Sequence, residues 1–175
     1  MFKPILCAAL TLTLLSACSD DTASEPTAGI SDELASGNSL GLISFQSDFT
    51  ASETANRLVN LINQKGLLLV TRVDHQQNAQ DAGLTLNPTE VILFGNPALG
   101  TPIMQCAQAA AIDLPQKMLV TEDDQGRVWL SYNDPSYLSD RHSIIGCDQE
   151  LATISTALQG LALESTGATD KQPSA

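Results

Sequence analysis

"KMLVTEDDQGRVWLSYN", residues 117–133, places two mostly apolar runs around an acidic turn that ends in glycine. Lys117–Glu122 and Arg127–Tyr132 have strand character, and Asp123-Asp124-Gln125-Gly126 supplies turn residues between them, so the stretch predicts a β-hairpin. Alternation sets Val128, Leu130 and Tyr132 on one face and Arg127, Trp129 and Ser131 on the other. Tyr132 is expected on the core side with its hydroxyl bonded, and Trp129 facing solvent or a dimer partner. Glu122, Asp123 and Asp124 at the tip read as solvated turn residues rather than as a catalytic carboxylate pair.

The flanks decide what the hairpin joins. Gly41–Gln46 is a short apolar first strand. Thr50-Ala51-Ser52-Glu53 is a capping box, and Ala55, Leu58, Leu61 and Ile62 follow at helical spacing. Gly66 stands where a left-handed stop belongs, which predicts a helix over 51–65. Leu67–Val73 and Glu90–Phe94 read as buried strands, with a short helix over 76–82 between them. Thr101-Pro102 predicts a helix start with Thr101 as cap, running to about Asp113-Leu114-Pro115. Beyond the hairpin, Asp134-Pro135 opens a short helix to about His142. Leu151, Ile154, Leu158 and Leu161 then mark an amphipathic closing helix over 148–163. Strands and helices in this order predict an α+β domain with helices packed mainly on one sheet face.

The ends have a different composition. After Lys3, residues 4–17 carry no charged side chain. This run is too short for a membrane-spanning helix, so 1–17 reads as a secretory signal. Leu15-Ser16-Ala17-Cys18 resembles a bacterial lipobox, in which the signal is cut before Cys18 and the thiol takes diacylglycerol and acyl chains such as palmitate. Ser19 resembles the signal for delivery to the outer membrane, facing the periplasm. Residues 18–39 then form a lipidated, flexible tether, 40–163 the single folded domain and 164–175 a disordered tail. The expected partner is the membrane, reached through lipid on Cys18.

Without 1–17 the chain keeps 7 basic and 20 acidic side chains, a net charge of −13. Such a surface repels nucleic acid and anionic headgroups, so nucleic-acid binding is excluded. Cys106 and Cys147 are the even pair left in an oxidising compartment, and a structural disulfide is the favoured reading. Together with His75 and His142 they are all the thiols and imidazoles of the domain, but no two lie at metal-ligand spacing, so no metal and no cofactor are expected.

The stretch from Val70 to Tyr137 resembles the family called domain of unknown function number 302. Asp74-His75, Phe94-Gly95-Asn96-Pro97, Gly100-Thr101-Pro102, Asp113-Leu114-Pro115 and Tyr132-Asn133 carry the resemblance, which extends over roughly Leu40 to Leu163. It implies a β-α-β-β-β-β-α sheet like that of the TATA-box-binding protein, often paired as a homodimer. It brings no reaction, and the likeness of fold implies no DNA binding.

The residues that point to a site are few. His75 follows a buried strand, where a functional side chain or a cap for the next helix would stand. "FGNPALGTP", residues 94–102, spends two glycines and two prolines on the shape of a strand-to-helix crossing. Asn96, Gly100 and Thr101 there, with His75, are the candidate ligand-binding set. No nucleophile elbow or other catalytic constellation is present. The reading is therefore an envelope lipoprotein whose domain binds a small ligand or a protein. The alternative is a thiol-redox or metal-dependent enzyme using Cys106 and Cys147 with His75.

Overall fold

In the computed structural model, residues 41–168 are described. The signal, Cys18 and the tether predicted over 1–39 lie outside the described residues, as do 169–175. Five strands, β1 (Leu42–Ser47), β2 (Leu68–Asp74), β3 (Thr89–Gly95), β4 (Gln116–Glu122) and β5 (Val128–Asn133), form one sheet in the order β1-β5-β4-β3-β2. Every neighbouring pair is antiparallel. The helices are α1 (Ala51–Gln64), α2 (His75–Asp81), α3 (Pro97–Cys106), α4 (Pro135–His142) and α5 (Asp148–Thr166), with a 3₁₀ turn over Gln108–Asp113. Strand, helix, four strands, helix is the arrangement that the family resemblance implies.

The hairpin forms the middle of the sheet, with Met118 opposite Tyr132 and Val120 opposite Leu130. Its inward residues meet α1 and α5, which cover one face, and Leu58, Ile62, Ile92, Met118 and Leu130 are wholly buried there. Tyr132 stacks on Phe45 with ring centroids 6.3 Å apart. Burial, and then the charge of Asp134, pushes its phenol up to about 12. The capping box of α1 is complete: Thr50 Oγ1 accepts from the Glu53 amide and Glu53 Oε2 from the Thr50 amide.

Three expectations are corrected. Trp129 is not a solvent-facing residue; only 8% of it is exposed. The hairpin tip is not merely solvated either. The Asp123 side chain is 4% exposed and accepts from the amides of Gln125 and Arg127, from Arg127 Nε at 2.7 Å and from Trp129 Nε1 at 3.0 Å. The tail does not begin at Glu164. Helix α5 continues to Thr166 because Ser165 and Thr166 donate to the carbonyls of Leu161 and Ala162 and are themselves buried. Arg57 of α1 donates to the carbonyls of Glu164 and Ser165, securing that end.

Burial acts to raise the Asp123 carboxyl, but the hydrogen bonds from Trp129, Arg127 and Gln125 outweigh it and hold the group at about 2. In the unfolded chain it titrates near 4. The folded state therefore binds fewer protons between these values. Its contribution is full above about pH 4 and is lost as pH falls towards 2. Asp123→Asn is expected to lower stability by about 2 kcal/mol at neutral pH and to flatten the acid dependence between pH 4 and 2. The fluorescence of Trp129, the chain's one tryptophan, follows both. An acid slope unchanged in the Asn variant would sink this account.

Candidate functional site: an apolar cavity at one end of the sheet

The start of β2, the end of β3 and the start of β4 lie at the same end of the sheet, since Leu68 pairs with Gly95 and Phe94 with Gln116. At that end the core opens into a cavity of about 340 Å3. Phe94 and Gln116 stand at its base. Leu99, Gly100 and Met104 of α3 form one wall, and Ile154, Leu158 and Leu161 of α5 the facing one. Leu68 and Val70 line it from β2 and are 58% and 52% exposed, which gives the opening an apolar lip.

Local chemistry sets the walls. Asn96 caps α3, its Oδ1 accepting from the Ala98 amide, and Pro97 takes the first helical position, where a missing N–H costs nothing. The helix thus starts at Pro97, not at Thr101-Pro102, and Thr101 is an exposed helical residue rather than its cap. Pro102 falls inside, so the carbonyl of Ala98 loses its helical donor; Ala98 is exposed, where water can take its place. A Cβ added to Gly100 would meet Leu114 Cδ1 at 3.7 Å, an ordinary contact. This glycine leaves space beside Leu114 rather than satisfying a backbone requirement.

Of the four candidate residues, the structure brings Asn96, Gly100 and Thr101 together on the cavity. His75 is not among them. It is exposed at the first position of α2, at the opposite end of β2 from Leu68, and Asp74 caps that helix by accepting from the Gln77 amide at 2.8 Å. Cys106 and Cys147 are joined in a disulfide with their Cα atoms 6.5 Å apart, tying the end of α3 to the residue before α5. The enzyme alternative would use this pair with His75, and nothing in the disulfide itself supports it. Among the described residues, no three His, Cys, Asp or Glu side chains are grouped to hold a metal ion.

Two contributors escaped the sequence reading. Asp113 is buried and bridges two residues of α4: His142 Nε2 donates to it at 2.6 Å and Arg141 Nη1 at 3.0 Å. This cluster anchors the 3₁₀ turn just before Leu114 and the cis Leu114–Pro115 bond, which face the cavity. Partners 28 and 29 residues apart leave no local pattern in a sequence. The second is Gln116. Strand alternation places it on the same face as Met118 and Val120, and its Nε2 is buried with no protein partner. Starting β4 at Gln116 rather than Lys117 would have marked it as an inward polar residue.

An antiparallel α+β sheet domain, helices on one face and an apolar cavity at one end, is the class that fold and site define. The chain belongs to the family described as domain of unknown function DUF302, whose model matches residues 43–161. The fold is shared by the crystal structure of an uncharacterized conserved DUF302 protein from Bacillus stearothermophilus, at a TM-score of 0.65 and 17% identity over 72% of this chain and 98% of that one. Similar curated proteins are named fluoride-specific ion channels. FluC 1 of Brucella suis biovar 1 is 44% identical over 104 residues, 59% of this chain and 41% of that protein. FluC 2 of Brucella melitensis biotype 1 is 44% identical over 104 residues, 38% of its length. This chain therefore spans about two fifths of the curated relatives it matches. Among its described residues, no helix is long and apolar enough to cross a membrane.

Proposed function

We propose that the chain is a membrane-tethered binding protein of the cell envelope, whose domain takes a small apolar ligand into the cavity between α3 and α5. The cavity carries the reading. Its volume of about 340 Å3 falls in the range of small-molecule sites, its lining is nearly all hydrocarbon, and its lip is exposed leucine and valine. The tether is residues 18–39, held by lipid on Cys18 in the outer membrane and facing the periplasm. The Brucella relatives support work at a membrane, since the matched stretch there belongs to proteins named as ion channels. The family resemblance adds a homodimer, which sedimentation of the full chain would read.

The test is uptake of N-phenyl-1-naphthylamine, a neutral two-ring dye, by the purified full chain. Saturable binding at one site is expected, weakened at least tenfold by Gly100→Leu, whose side chain grows towards Leu114, and little changed by Gly100→Ala. Dye uptake indifferent to Gly100→Leu would remove the cavity from the function. Anchoring is read separately: Cys18→Ser is expected to move the chain out of the membrane fraction and to abolish an acyl mass increment.

A further inference from the structure

We infer that the occupant of the cavity is one acyl chain of a membrane lipid, taken tail-first with its head group left outside. This rests on the cavity reading and names the chemical class of its ligand. The lining decides the tail, since it is nearly all hydrocarbon and contains no Lys, Arg, His, Asp or Glu. Its polar side chains offer a ligand little. Asn96 and Thr101 are exposed at the opening, with Asn96 Oδ1 already spent on the cap of α3, and the amide nitrogen of Gln116 is closed off. A compact ligand with a polar group at its middle would give up that group's water and gain little in return. A ligand with its polar group at one end avoids this cost, because the head stays at the opening with water. Size follows from volume. An apolar cavity of about 150 Å3 holds one benzene ring, so this one takes roughly a dozen carbons, which is a single chain.

The source follows from where the rest of the chain joins the domain. Leu42 pairs with Asn133, Tyr132 with Met118 and Gln116 with Phe94, so β1 begins at the cavity end of the sheet. The residues before Gly41 therefore leave the domain at that end. β1 and β2 are the two edges of the sheet, roughly 19 Å apart at the usual strand spacing. A coil of the length proposed for the tether, 18–39, spans on the order of 25 Å. A domain held through Cys18 thus keeps the apolar lip of Leu68 and Val70 within reach of the bilayer surface. Contact there removes both side chains from water. The chain's net charge of −12 favours a zwitterionic head over an anionic one.

Displacement of N-phenyl-1-naphthylamine from the full chain by lysophosphatidylcholines of increasing acyl length, each below its micelle concentration, tests this. Affinity is expected to rise about fourfold per added methylene and to level off near the chain length that fills the cavity. Gly100→Leu is expected to bring that plateau to shorter chains. Replacing phosphocholine by glycerol on the same tail should change affinity less than threefold. Affinity indifferent to chain length, or set tenfold or more by the head, would overturn the inference while leaving the cavity reading intact. Failure of the dye itself to bind would overturn both. The source is read with the Cys18→Ser chain, mixed with phosphatidylcholine vesicles, separated from them and weighed by native mass spectrometry. One phosphatidylcholine per chain is expected, lost when Gly100→Leu is added. No carried lipid, or dye uptake by Cys18→Ser but not by the wild-type chain, would overturn the membrane source; the second result would place the chain's own lipid in the cavity.

Discussion

Replacing both Cys106 and Cys147 by alanine is expected to lower the unfolding free energy by about 4 kcal/mol. The bond closes a loop between positions 41 apart. For that length the chain-entropy model gives a stabilisation of roughly 4 kcal/mol, acting by restricting the unfolded chain. In a domain of this size the loss corresponds to a fall in Tm on the order of 12–20 °C. The effect is not confined to the unfolded state. Cys147 is 4% exposed and belongs to the core, while Cys106 ends the helix that forms one cavity wall. Without the bond, α3 loses its covalent tie to the start of α5 and is held by packing alone, with Ile103 in the core and Leu99 and Met104 facing the cavity. Urea unfolding measures the global loss, and hydrogen exchange its distribution. Amides of α3 should exchange faster relative to those of the β4–β5 hairpin than in wild type. A loss below 1 kcal/mol with an even exchange pattern would show that the two cysteines do not clasp the folded protein.

What could be read from the sequence was what short range decides. The hairpin, the capping box at Thr50 and Glu53 and the left-handed Gly66 each lie within one turn or helix end, and together they give the order of strands and helices. Asn96, Gly100 and Thr101 were legible for a related reason: two glycines and two prolines in nine residues mark a shaped crossing. His75 was misplaced because alternation along a strand cannot tell which of its ends meets the open part of the core. The start of α3 was misread because Asn96-Pro97 and Thr101-Pro102 present the same cap-and-proline signal, and the earlier one wins. Asp113 with His142, Asp123 with Trp129, and Ser165 with Thr166 against the helix backbone depend on burial that only the assembled fold supplies.

Leu58→Ala should be among the most destabilising single substitutions, at roughly 3–5 kcal/mol, and Leu158→Ala should cost only about 2–3 kcal/mol. The comparison holds the chemistry fixed, because both side chains are leucine, helical and almost wholly buried. Leu58 of α1 is enclosed, so truncation leaves a void whose walls lose contacts outright. Leu158 of α5 has the cavity on one side, so fewer partner atoms are lost there, and the new space merges with space that already exists. The two variants should then separate in their response to an apolar probe. Saturating N-phenyl-1-naphthylamine should raise the Tm of Leu158→Ala at least as far as that of wild type, since a ligand that binds only the folded state stabilises it by mass action. It should give Leu58→Ala no more than the wild-type increment, because the void there does not communicate with the opening. Equal losses and equal probe responses would mean that Leu158 faces no cavity in solution, and the binding reading would then have lost its structural ground.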